Sequence, residues 1–65
     1  MFQAKLMVSG LRRQANLLND LIDHLEGKPT FDHDDSFFYE TRTREVASNL
    51  QKLRKIKRAY FEHRN

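Results

Sequence analysis

The helix breakers of this 65-residue chain are few, and they cluster at its middle. Gly27 and Pro29 sit two residues apart, Pro29 is the sole proline, and the only other glycine is Gly10. A glycine can take the left-handed conformation that ends a helix, and a proline just beyond cannot continue one. The segment from Lys28 to Ser36 therefore reads as a loop. Its Asp and Ser residues offer several N-caps, and the spacing starts a second helix between Asp34 and Ser36. The chain divides into a helix over about 3–26, a loop over about 27–35 and a helix over about 36–63, all in one domain.

The apolar residues fit that division. Ala4, Val8, Leu11, Ala15, Leu18, Ile22 and Leu25 alternate in spacings of four and three, a continuous helical stripe. Leu17 and Leu21 form a second stripe beside it, so the first helix has an apolar face wide enough for more than one neighbour. Gly10 interrupts the first helix at a cost of ~1 kcal/mol relative to Ala. The stripe keeps its phase across Gly10, which favours one continuous helix over a start at Ser9-Gly10 with residues 2–8 as a loose arm. Downstream, Tyr39, Val46, Leu53 and Tyr60 repeat every seven residues, with Thr43, Leu50 and Lys57 or Ile56 between them. Glu40 and Arg44 form an i,i+4 pair in the favourable orientation.

Charge is sorted along the chain. Residues 1–13 carry a net +3, residues 14–40 a net −6 and residues 41–65 a net +6. Folding the chain in half at Pro29 makes both termini one basic end and the bend an acidic end. Two helices of ~25 residues, each about 37 Å long, then form an antiparallel hairpin. The expected fold class is all-α.

A chain of this length buries only ~60% of the surface that its unfolded form exposes. Disulfides, a metal or self-association are the usual remedies. Cysteine is absent, which excludes disulfides and thiolate zinc sites. Leu17, Leu21, Phe37, Phe38 and Phe61 form an apolar surplus that a lone hairpin leaves wet. Pairing two hairpins into a four-helix bundle covers it. An antiparallel homodimer sets each acidic bend beside the other copy's basic ends, whereas a parallel one sets like charges together. The expected self-association residues are Leu11, Leu17, Leu18, Leu21, Val46, Leu50, Leu53 and Tyr60.

The longest apolar runs are three residues, such as Leu6-Met7-Val8, against roughly 20 for a membrane span. No charged-then-apolar leader opens the chain. A cytoplasmic protein with no membrane association is expected.

Three constellations compete for a functional role. Lys52, Arg54, Lys55, Lys57 and Arg58, followed by Tyr60, Phe61, His63 and Arg64, combine phosphate-neutralising cations with stackable rings. The hairpin adds Lys5, Arg12 and Arg13 to that end. The plainer reading is that cations in the last turns of a helix serve its dipole and its solubility. No zinc finger, ribonucleoprotein sheet, K-homology loop or helix-turn-helix accompanies the tract. Asp32-His33-Asp34-Asp35 carries metal-ligand types, but adjacent residues rarely converge on one ion, and capping and turn chemistry account for them. No metal or cofactor is expected. His24 and His63 read as surface or seam residues. The third constellation is Phe31, Phe37 and Phe38 around the bend. Consecutive helical residues point about 100° apart, so Phe37 and Phe38 are both covered only if a second surface exists. An exposed aromatic in an acidic rim is a docking point for a protein partner.

Catalysis has little support. Ser9, Ser36 and Ser48 lack an elbow motif, Asp20, Asp23 and Glu26 read as a solvated face, and no Gly-rich phosphate loop exists. A hairpin offers no deep pocket for a small-molecule substrate. The function expected is that of a non-enzymatic interaction module, a regulator or adaptor of the compact kind that phages and plasmids use as accessory proteins. The alternative is a nucleic-acid-binding bundle using the basic end, and a further alternative is a secretion-type co-chaperone. The paired-hairpin architecture is similar to that of plasmid Rop-type RNA-binding proteins and of small helical co-chaperones of type III secretion. Those likenesses are architectural, and architecture does not carry function.

Overall fold

The computed structural model describes residues 4–62, so His63 and Arg64 of the basic tract lie outside the described residues. Two α-helices, α1 (Ala4–Leu25) and α2 (His33–Glu62), pack against each other as an antiparallel hairpin. Among the described residues there is no strand, and no helix is long and apolar enough to cross a membrane. The molecule is a thin slab with principal extents of 53 × 18 × 9 Å.

The bend forms where the glycine and proline predict it. The Leu25 carbonyl accepts the Lys28 amide at 3.2 Å, and Gly27 holds φ at 83°. That is the left-handed region, where a Cβ is disfavoured. The second helix starts at His33, ahead of the Asp34–Ser36 window, because Asp32 is its cap. The Asp32 carbonyl accepts the Ser36 amide at 3.0 Å, and Asp32 Oδ1 accepts the Asp35 amide at 3.0 Å. Asp35 Oδ2 in return accepts the Asp32 amide at 3.1 Å. This is a capping box with aspartate at both positions, satisfying two otherwise orphaned donors.

The seam between the helices differs from the expected one. On α1 it runs through Met7, Gly10, Gln14, Leu17, Leu21 and Leu25, all buried or half-buried. The long stripe of Val8, Leu11, Leu18 and Ile22 is exposed instead. Leu17, Leu21 and Phe38, counted above as surplus, are therefore covered within one hairpin. Phe37 and Phe61 stay exposed.

Gly10 explains the choice of stripe. A Cβ on Gly10 would lie 2.7 Å from Cδ2 and 3.0 Å from Cδ1 of Leu53. The leucine occupies the space that a larger residue would fill, and the helices touch there. One turn on, Asn49 Nδ2 donates to Gln14 Oε1 at 3.0 Å. Gln14 is only 6% exposed, so this bond satisfies an amide that would otherwise cost about 1–3 kcal/mol to bury. These contacts fix the register, with Gly10 level with Leu53 and Gln14 level with Asn49.

On α2 the seam runs through Asp35, Phe38, Arg42, Val46, Asn49, Leu53 and Tyr60. Tyr39, expected on it, is 45% exposed. Phe38, one residue earlier and about 100° around the helix, takes the seam position at that end by stacking on His24, which leaves Tyr39 at the edge. Among the described residues Leu21 and Val46 are the only buried apolar ones. The core is one residue deep on each side.

Candidate interaction surfaces

At the bend, four side chains from both helices and the loop converge. Asp35 is fully buried and accepts from Lys28 Nζ at 2.7 Å and from His24 Nε2 at 2.9 Å, in addition to the Asp32 amide. Lys28 Nζ also lies 3.9 Å from Asp32 Oδ2. The Lys28 bond, then the Asp32 amide, then His24 hold the Asp35 carboxyl well below the usual aspartate range, against the opposing effect of its burial. The same hydrogen bond to Asp35 raises the Lys28 ammonium above its ordinary value. A buried charge survives only when paired and hydrogen-bonded, and Asp35 is both.

The cluster extends along the seam. The His24 ring stacks on Phe38 with centroids 4.5 Å apart and planes 16° from parallel. The Arg42 guanidinium sits 5.2 Å from the Phe38 centroid and 3.8 Å from Asp20 Oδ2. Phe38 is thus a packing residue of the bend rather than a free docking point. Phe31 meets Tyr39 edge-on at 6.3 Å and remains exposed. Phe37 is 74% exposed. Its helical neighbours at three residues' distance are Asp34 and Glu40, so it stands in an acidic rim.

Asp32 and Asp35 are engaged in the cap, and His33 and Asp34 are exposed. Among the described residues, no group of three or more His, Cys, Asp or Glu is placed to hold a metal ion. Sequence reasoning missed the convergence on Asp35. The Asp32-x-x-Asp35 spacing signals the cap, but nothing local signals that His24 and Lys28 close on the same carboxylate.

The two broad faces of the slab differ in character. On α1 the stripe of Leu11, Leu18, Ile22, Ala15 and Val8 lies about 100° around the helix from the seam, at 3.6 residues per turn. On α2 the same side carries Tyr39, Thr43, Ala47 and Leu50. Together they make one largely apolar face. The opposite face holds Arg13, Asp20, Arg42 and Glu45. A shallow groove of about 360 Å³ runs along it, lined by Gly10, Arg13, Gln14, Leu17, Glu45, Asn49 and Leu53.

The residues expected to self-associate separate accordingly. Leu17, Leu21, Val46 and Leu53 pack between the helices of one chain, and Leu50 and Tyr60 are half-buried. Leu11 and Leu18 are exposed on the apolar face.

At the open end, the register sets Arg12 and Arg13 level with the start of the basic tract. Lys52, Arg54, Lys55, Lys57 and Arg58 are all exposed, as are Arg12 and Arg13. They project on every side of α2 rather than along one stripe, since neighbouring positions turn by 100°. The chain matches no family model, no curated protein and no solved structure.

Proposed function

We propose that this chain is a small non-enzymatic interaction module, an adaptor or regulator that works as a homodimer and occupies the surface of a partner protein. The observation that carries this reading is the mismatch between what the hairpin buries and what it displays. Among the described residues two apolar side chains are buried, while Val8, Leu11, Ile22, Phe31, Phe37 and others stand exposed. Solitary exposed leucines are ordinary, but a contiguous apolar face marks an interaction site. Phe37 in its acidic rim suits a partner whose apolar pocket is edged with lysine or arginine.

Affinity capture from a lysate of the source cells tests this. Wild-type protein should retain a defined protein that resists nuclease treatment and is lost with Phe37→Ser. Retention indifferent to Phe37→Ser removes the aromatic from the interface, and retention abolished by nuclease removes the protein partner.

A second reading has its own support. The register sets Arg12 and Arg13 level with the start of the tract Lys52, Arg54, Lys55, Lys57 and Arg58, and a concentration of cations toward that end suits a phosphate backbone. If nucleic acid binds there, affinity should fall steeply with salt, with a log–log slope of about −0.7 to −0.9 per phosphate neutralised. A flat salt dependence of binding to mixed-sequence RNA and DNA would sink this reading.

A further inference from the structure

We infer that the apolar face is the contact surface for a second copy of this chain, which packs antiparallel to the first about a two-fold axis that lies in the interface and crosses α1 at Ala15 and α2 at Ala47. The inference rests on the interaction-module reading and deepens it by naming the face, the occupant and the register.

Three observations select this arrangement. The first is charge. The bend is acidic and the open end basic, so two copies attract when each bend lies over the other's open end and repel when the bends coincide. Pairing one face with itself in that sense is an isologous contact, in which residue i meets j and j meets i. It lays α1 on its counterpart and α2 on its counterpart, each pair antiparallel.

The second is the distribution of side-chain size on the face. With the axis at Ala15, α1 pairs Ala15 with Ala15, Leu18 with the Leu11–Arg12 turn and Ile22 with Val8. With the axis at Ala47, α2 pairs Ala47 with Ala47, Thr43 with the Leu50–Gln51 turn and Glu40 with Arg54. Small residues fall at the centre of both helix pairs, where the backbones come closest, and on α1 large apolar residues meet on either side. The outermost α2 pair is one acid against one base. Glu40 also has Arg44 beside it at 3.7 Å, in an exposed pair that water weakens. The two centres agree with the hairpin's own register, which places Gln14 opposite Asn49, so both alanines lie at nearly the same height.

The third is area. A slab 53 Å long and 18 Å wide presents a face that exceeds the ~800 Å² per partner of a standard interface. The apolar run from Val8 to Ile22 covers about 21 Å of it at 1.5 Å per residue.

Sedimentation equilibrium of the full chain, followed by single-cysteine cross-linking, tests the inference. The wild type should be dimeric at low micromolar concentration. Leu18→Glu should weaken the dimer on the order of a hundredfold, since the substitution enters the interface twice. Because Leu18 is not part of the hairpin seam, far-ultraviolet circular dichroism should still report two helices. The chain has no cysteine, so Ala15→Cys should form a disulfide-linked dimer on mild oxidation. A mixture of Val8→Cys and Ile22→Cys should give mainly the mixed species. Glu40→Arg should loosen the dimer, and adding Arg54→Glu should restore it.

A wild type that stays monomeric at 100 micromolar overturns the inference. So does a dimer in which Asn16→Cys, on the polar side, links and Ala15→Cys does not. A dimer in which Val8→Cys links to itself in preference to Ile22→Cys is parallel and has the same consequence. A monomer that still captures a protein through Phe37 refutes the dimer and leaves only the partner-binding half of the module reading standing. A dimer that captures nothing does the reverse.

Discussion

Asp35 remains ionised in the folded chain at pH values where a free aspartate protonates, because Lys28, the Asp32 amide and His24 all donate to it. A carboxylate with a depressed pKa contributes stability that is fully present above its ordinary value of 3.8. That contribution is lost as pH falls below that value toward the folded one. Urea unfolding followed by circular dichroism should therefore show stability declining below about pH 4. Asp35→Asn should be less stable at neutral pH and should flatten that acid limb. Lys28 works in the opposite sense. Its raised pKa keeps the Lys28 contribution intact below 10.5 and removes it only as pH climbs through the higher folded value. Asp32→Ala should cost about 1 kcal/mol through loss of the cap, read as a lower urea midpoint with an unchanged slope. The capping role of this cluster is legible in the sequence, because Asp-x-x-Asp before a long helix is a local signal. The burial of Asp35 is not, because it depends on two donors, seven and eleven residues away, that only the bend brings together.

Both helices and the break between them follow from local rules, since Gly27 and Pro29 interrupt an otherwise continuous helical pattern. Which stripe of α1 faces α2 does not follow from them. Two adjacent stripes were available, and the richer one, through Val8, Leu11, Leu18 and Ile22, faces outward. Gly10 and Gln14 look unfavourable for a seam when considered singly. In place, the glycine receives Leu53 and the glutamine receives Asn49. The seam is thus set by complementarity between helices, which periodicity within one helix does not contain. This makes Gly10→Val a direct probe. The branched side chain should displace Leu53 and destabilise the hairpin by about 1–3 kcal/mol. In a Leu53→Ala background the penalty should shrink, a coupling that a double-mutant cycle in urea detects. Equal penalties in both backgrounds would separate Gly10 from Leu53. Likewise Gln14→Leu alone should cost about 1 kcal/mol by leaving Asn49 short of its partner, and Gln14→Leu with Asn49→Leu should recover most of it.

At the scale of the whole molecule, a hairpin with a core one residue deep would gain stability from the proposed association. A dimer that forms only from folded chains makes the unfolding midpoint depend on protein concentration. The midpoint should rise over a hundredfold concentration range for the wild type and stay constant for Leu18→Glu. The charge sorting that suggests antiparallel pairing is plain in the sequence. The face that would accept the partner is not, because it is defined by what α2 leaves uncovered.

The polar cluster at the bend has a kinetic consequence. Its bonds join residues close in sequence, so the loop they close is short and its entropic cost low. Toward the open end each pairing closes a longer loop, and the seam there has fewer buried apolar groups to compensate. The hairpin should therefore open like a jaw, hinged at Asp35. Amide hydrogen exchange would record this as protection that is greatest in the turns next to the hinge and falls steadily along both helices with distance from it.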